Sequence, residues 1–215
     1  MFTRGAGGFQ SAAAAAQNSV LGTGGAAHRC AGPSRWVEHG HHALVELEPF
    51  HAVGGYDESF SHNEDAELDV RLVKAQARIW LCQDLQVTYL PRSTASDLFR
   101  QYFNYGKGRA RTLLQHGLRP RLRQQALVAV VPAALVAPLG VLEPALALPA
   151  VFWIAASLTM GVALAVRQRQ WAVLASGPAA VVMHLAWSAG FWRQLVSTLG
   201  PKTDARRPIR QAAPT

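Results

Sequence analysis

Apolar positions along the chain change their spacing several times, and each change marks a different kind of element. Residues 1–36 are rich in Gly, Ala and Ser ("GAGG", "SAAAAAQ", "GTGG") and carry no period beyond one short helix at about 9–18. "ALVEL", 43–47, reads as a plausible short strand. Pro49 suits an early helical position and Gly54 a stop, so one or two helical turns fall between them. In "SFSHNEDAELDVRL", Ser61 and Glu64 have the spacing of a capping box, and Leu68, Leu72 and Ala75 continue an amphipathic helix to about Ala77. "RIWLC" and "LQVTYL" read as short strands, the second ended by Pro91.

The period then changes again. Over 94–116, Phe99, Phe103, Gly106, Ala110 and Leu113–Leu114 share one stripe, flanked by Leu98 and Tyr102, while Arg100, Asn104, Lys107, Arg111 and Gln115 share the other. Such a helix suits the surface of a bilayer, or a core with a solvated basic face. Residues 125–166 are apolar enough for two crossings, 126–142 and 145–166, broken at Glu143–Pro144, with Pro132 and Pro138 placed to kink the first. A weaker apolar segment follows at 171–192, then a basic disordered tail at 193–215. Three full crossings would put "KTDARRPIR" on the side opposite "LRPRLRQQ", against the positive-inside trend; a third segment broken at Gly177–Pro178 and folding back would not.

Composition sharpens this picture. Half the residues are apolar and 16% are charged, which is poor in charge for a soluble domain. Residues 1–97 hold 7 basic and 11 acidic side chains, 98–125 hold 7 basic and none acidic, and 126–166 hold Glu143 alone. The net charge of +8 therefore comes from basic blocks that flank apolar sequence, a pattern of the cytoplasmic membrane face rather than of nucleic-acid binding. Cys30 and Cys82 have neither metal-site spacing nor a disulfide framework, which fits a reducing cytoplasmic setting. "SAAAAAQ" is too short for a signal-peptide core.

Two adjacent acids carry the candidate chemistry. Glu64 is explained by the capping box, and any acid in a first helical turn is favoured by the helix dipole by about 0.3–1 kcal/mol. The same position holds Asp65 ionised, the form a general base needs. Glu38, His39, His41 and His42 offer metal-binding groups, but His39 and His41 would share one strand face and His42 the other, so metal binding, substrate contact and plain packing stay open. His184, on an apolar helix, reads as an interior histidine with its hydrogen bonds satisfied.

"GGYDESFSHNEDAELDVRL" resembles the family 2 glycosyltransferases. The similarity extends through "EHGHHAL" and "ARIWLCQDLQVTYLPRSTASDLFRQYFNYGKGRAR", and is closest to the membrane-anchored subgroup that builds succinoglycan-type exopolysaccharides. The resemblance covers about residues 37–125. It implies an α/β fold, the acceptor-side half of a GT-A domain over 1–93, then a basic amphipathic interfacial helix and linker over 94–124 and two or three transmembrane helices over 125–192. It implies Asp65 as the catalytic base of an inverting transfer and Glu64 as its supporting neighbour. His41, Gln101, Tyr105 and Arg109 would lie near the acceptor and the leaving diphosphate. The implied substrates are a nucleotide sugar and a polyprenyl-diphosphate-linked saccharide, at the cytoplasmic leaflet of the inner (plasma) membrane. It also implies Mg or Mn bound through an Asp-x-Asp, and no Asp-x-Asp occurs in this sequence. The expectation is therefore a chain that lacks the donor-binding half and does not transfer sugar alone. The competing readings are a non-catalytic membrane-anchored binding module and a metal hydrolase built on the histidine cluster.

Overall fold

The computed structural model describes residues 2–23, 33–40, 43–85 and 87–199. Helices dominate, and three stretches are long and apolar enough to cross a membrane: Leu122–Val141, Pro144–Gln168 and Trp171–Leu199. In chain order the elements are β1 (Phe2–Thr3), α1 (Gly8–Gln17), α2 (Val20–Thr23), β2 (Arg35–Val37), α3 (Leu47–Ala52), α4 (Glu64–Lys74), β3 (Ile79–Leu81), β4 (Thr88–Tyr89) and α5 (Ala95–His116). They continue with α6 (Leu122–Val128), α7 (Val130–Val136), α8 (Leu148–Gln168) and α9 (Ser176–Leu199).

Sheet is sparse among the described residues. β1 pairs parallel with β4, and β2 pairs antiparallel with β3 through Arg35↔Leu81, Trp36↔Trp80 and Val37↔Ile79. The strand expected at 43–47 is absent: residues 43–46 are irregular and Leu47 already belongs to α3. Leu44 is 98% exposed, so a strand there would have no face to bury. The two pairs do not amount to half of a GT-A sheet, and that part of the expected fold is not seen.

α5 is the spine. Thr94 caps it, its hydroxyl accepting from the Asp97 amide at 3.1 Å, and Gly117 closes it in the left-handed conformation. The apolar stripe read from the sequence is buried at Leu98, Gly106, Ala110 and Leu113, whereas Phe99 and Leu114 stay exposed. That stripe packs on α9. Leu98 meets Ala179, Ala180 and Met183, and Ala110 and Leu113 meet Trp187 and Phe191 further along, so the two helices run parallel. Their backbones touch: a Cβ on Gly106 would lie 1.9 Å from the Trp187 carbonyl oxygen, and one on Gly190 would lie 1.9 Å from that of Phe103.

α1, which falls where the sequence placed a short helix, buries its alanines against α9 and α8. The first apolar segment is broken as its prolines require. Pro132 has no N–H for the Val128 carbonyl, and that oxygen instead accepts from Ser188 Oγ at 3.1 Å and Trp192 Nε1 at 2.9 Å on α9. The turn at Glu143–Pro144 is present, with Glu143 accepting from the Ala145 amide. α9 has no break at Gly177–Pro178; a 3-10 turn, Trp171–Ala175, precedes one continuous helix that holds Pro178 in its first turn.

Candidate functional site

The loop before α4 is built to deliver the paired acids. Gly54 and Gly55 both have positive φ, and Gly55 lies under the Phe50 ring. Asp57 Oδ1 then accepts from the Ser59 amide at 3.0 Å and from the Ser59 hydroxyl. Burial pushes the Asp57 carboxyl up, but these hydrogen bonds, with Gln115 and Arg111, bring it below the usual carboxylate range. Arg111 fixes the loop to α5. It donates to the Ser59 carbonyl at 2.6 Å and the Ser59 hydroxyl at 2.5 Å, and stacks over the Phe60 ring at 4.0 Å.

The capping box is not formed. Asn63, not Ser61, occupies the N-cap, in the left-handed conformation at φ 63°, with no side-chain cap bond. The Ser61 hydroxyl pairs with His62 Nδ1 instead. Asn tolerates the left-handed turn better than most residues. Gly108 of α5 makes room for that turn, since a Cβ there would lie 2.7 Å from the His62 carbonyl oxygen. Glu64 consequently has no capping partner and is exposed on the first turn.

Asp65 is half-buried, and its Oδ1 accepts from the Ala66 amide at 2.7 Å. Asp69, one turn later, is buried and lies on the same helix face. Its Oδ2 accepts from His39 Nδ1 at 2.5 Å and from the Gly40 amide at 2.9 Å, which anchors the end of the "EHG" segment on α4. The Arg109 charge on α5 acts with both acids: desolvation lowers its affinity for a proton, the Asp65 and Asp69 charges restore part of it, and Arg121 and Arg123 lower it further. Sequence reading missed Asp69, although its four-residue spacing from Asp65 was a visible signal.

Glu67 is the other acid that pattern alone did not single out. It is fully buried yet completely paired. Arg71 donates to it from Nε at 2.8 and 3.0 Å and from Nη2 at 2.6 Å, and His116 Nε2 donates at 2.9 Å. Burial raises this carboxyl's proton affinity, and the Arg71 and His116 bonds outweigh it, for a net lowering.

The remaining candidates are dispersed. Gln101 Nε2 donates to the Tyr89 hydroxyl at 2.5 Å and the Tyr105 hydroxyl at 2.8 Å, so Gln101 and Tyr105 form one network that ties α5 to β4. The Gln101 carbonyl oxygen is buried without a hydrogen-bond partner. His41 lies outside the described residues, as do His42 and Cys30. His184 is interior and satisfied, accepting from Trp153 Nε1 at 3.2 Å and bonding the Leu21 carbonyl at 3.1 Å.

The described residues do not fit the divalent metal that the resemblance implies. No three of their His, Cys, Asp or Glu side chains gather, and Asp69 and Glu67 are already committed to His39, Gly40, Arg71 and His116. Two cavities lie nearby. An open groove of about 400 Å³ is lined by Glu48, Pro49, Ala52, Val53 and 75–77. A pocket of about 80 Å³ beside the Asn63 turn is lined by residues including His62, Asn104, Lys107, Gly108 and Arg111. Asp65 lines neither.

Over 188 residues, 87% of its length, the chain is 53% identical to the succinoglycan biosynthesis protein ExoA of Rhizobium meliloti (strain 1021), and it spans 57% of that protein's length. This likeness agrees with the succinoglycan-type resemblance carried by the Gly-Gly-Tyr-Asp-Glu loop and the Glu-Asp helix. No protein-family model matches the chain, and no solved structure does.

Proposed function

We propose that this chain supplies the catalytic base and acceptor side of a membrane-bound glycosyltransferase of exopolysaccharide synthesis. The observation that carries the chemistry is Asp65 in the first turn of α4, half-buried, with the Arg109 charge of α5 acting on it. The likeness to a succinoglycan biosynthesis protein supports the pathway.

In the proposed reaction, the Asp65 carboxylate takes the proton of an acceptor sugar hydroxyl. The resulting oxygen attacks the anomeric carbon of a nucleotide sugar as the bond to the diphosphate breaks, and the diphosphate leaves with the electron pair. One displacement inverts the anomeric centre. Glu64, exposed beside the base, would contact the acceptor. Arg109 would hold Asp65 in its charged form rather than bind the diphosphate directly, because its charge already acts with two acids. Lys107, at the small pocket beside the Asn63 turn, is the better-placed cation for a phosphate, with Arg111 beside it holding Ser59. The sequence carries no Asp-x-Asp, so the donor nucleotide and its metal would be held by residues outside this chain. A polyprenyl-diphosphate-linked saccharide at the cytoplasmic leaflet remains the proposed acceptor.

Asp65→Asn tests the assignment. In membranes of the complete enzyme, with labelled sugar followed from nucleotide to lipid, removing a general base lowers transfer by roughly 10²–10⁴-fold. Membrane level and melting temperature should stay as in the parent. An unchanged rate would reduce Asp65 to a helix-start residue. The competing reading, a non-catalytic membrane module, rests on one specific observation: neither described cavity reaches Asp65. It expects Asp65→Asn to be silent and charge reversal at Lys107 and Arg111 to weaken partner or lipid binding.

A further inference from the structure

The three apolar segments are not equivalent. Of the most apolar stretch of each, 6% of the first and 22% of the second is buried, against 50% of the third. The third is covered by protein where the others face outward: α1, α5 and α8 pack on it, and α5 does so most extensively.

α5 carries Arg100, Lys107, Arg109 and Arg111. Its contact with α9 runs in parallel from Leu98 to Leu113, about 22 Å at 1.5 Å per residue. Gly106 meets Trp187, close to the middle of α9 (Ser176–Leu199), with the two backbones touching. If α9 crossed a bilayer, its midpoint would lie in the hydrocarbon and would bring Lys107, Arg109 and Arg111 to the same depth. Each such charge is expensive there. Sliding α9 along α5 does not relieve this, because the Gly106–Trp187 and Gly190–Phe103 approaches lock the register.

We infer that α9 does not cross the bilayer, and that the α5–α9 pair lies at the membrane surface, on the face that carries the Asp65 half. The outward hydrophobic groups of this segment, Trp171, Leu174, Trp192, Val196 and Leu199, are its lipid-facing side. Basic groups near the ends of the apolar segments (Arg119, Arg121, Arg123, Arg167, Arg169 and Arg193) then meet the anionic headgroups of one leaflet. The positive-inside conflict raised by three crossings disappears, because the end of α9 stays on the side of the basic residues before α6.

Single-cysteine variants decide this without any assay of activity. In a Cys30→Ser, Cys82→Ser background, Ser96→Cys reports the start of α5 and Thr198→Cys the end of α9, both exposed positions. Each full chain is expressed in cells and treated with a membrane-impermeant maleimide before and after permeabilisation. The expected result is that the two positions behave alike, both labelling only after permeabilisation. Labelling of Thr198→Cys from the face opposite Ser96→Cys would overturn the inference. A variant that fails to reach the membrane is replaced by Ser197→Cys on the same turn, read in the same way.

Discussion

Glu67 shows how one buried carboxylate can be taken up by the fold, with every bond it makes directed to its own chain. It is buried, receives bonds from Arg71 and His116, and links α4 to the end of α5; Arg71 in turn donates to the Val53 carbonyl at 2.6 Å. Removing one partner from such a cluster leaves the others buried and unsatisfied. Glu67→Gln should cost about 1–3 kcal/mol of stability, read as a lowered melting temperature in detergent. The sign of its pH dependence follows from the lowered proton affinity in the folded state. The stabilisation is fully present above the ordinary Glu pKa of about 4.3 and is lost as pH falls through the lower folded value. The gap in stability between parent and Glu67→Gln should therefore be wide at neutral pH and close only in acid. In the sequence, the three acids Glu64, Asp65 and Glu67 look alike, each a charge in a first helical turn. What separates them is their partners: none shown for capping at Glu64, the Arg109 charge acting on Asp65, and Arg71 with His116 on Glu67. Arg109 and His116 come from another helix, so local pattern could not rank the acids.

Between elements, the two glycines of "YGKGRA" have separate tasks. Gly106 lets α5 touch α9, and Gly108 lets it touch the Asn63 turn from which Asp65 springs. Helix α5 is thereby clasped between the membrane-associated layer and the candidate base. Gly106→Ala should force the helices apart, since a Cβ 1.9 Å from a backbone oxygen cannot be accommodated by a side-chain shift. Such overpacking costs about 1–3 kcal/mol. Hydrogen exchange should show it as faster exchange of amides in both α5 and α9. If α5 amides keep the parent rates, the close approach is not what holds the layer together. The amphipathic stripe on α5 was legible, because a 3.6-residue period is written in consecutive sequence. Its partner was not, because Trp187 and Phe191 lie some eighty residues on. The same holds for the break after Val128: Pro132 announced it, but only the fold supplies Ser188 and Trp192 to satisfy the freed carbonyl.

At the scale of the whole molecule, hydropathy and topology give different counts. Among the described residues three segments are long and apolar enough to cross, yet α9 also serves as the core against which α1, α5 and α8 pack. A hydropathy profile cannot tell a helix buried in protein from one buried in lipid, because both are apolar for the same reason. The charges of the neighbouring helix are what separate the two cases. The six tryptophans turn this into a measurement of depth. Trp192 is exposed and lies five residues beyond Trp187, the residue that meets Gly106, which is about 7 Å of helix. In a spanning α9 it would sit well inside the hydrocarbon. In a surface-lying α9 it sits near the headgroups, where tryptophan is at home. With Trp192 as the single tryptophan and the chain in vesicles, lipids brominated near the glycerol should quench its fluorescence more than lipids brominated near the chain ends. In a second variant that keeps only Trp36 and Trp80, the exposed pair on β2 and β3, neither label should quench. Stronger quenching of Trp192 by the deep label would place α9 across the bilayer, and α5 with its cations would then have to lie elsewhere than along it.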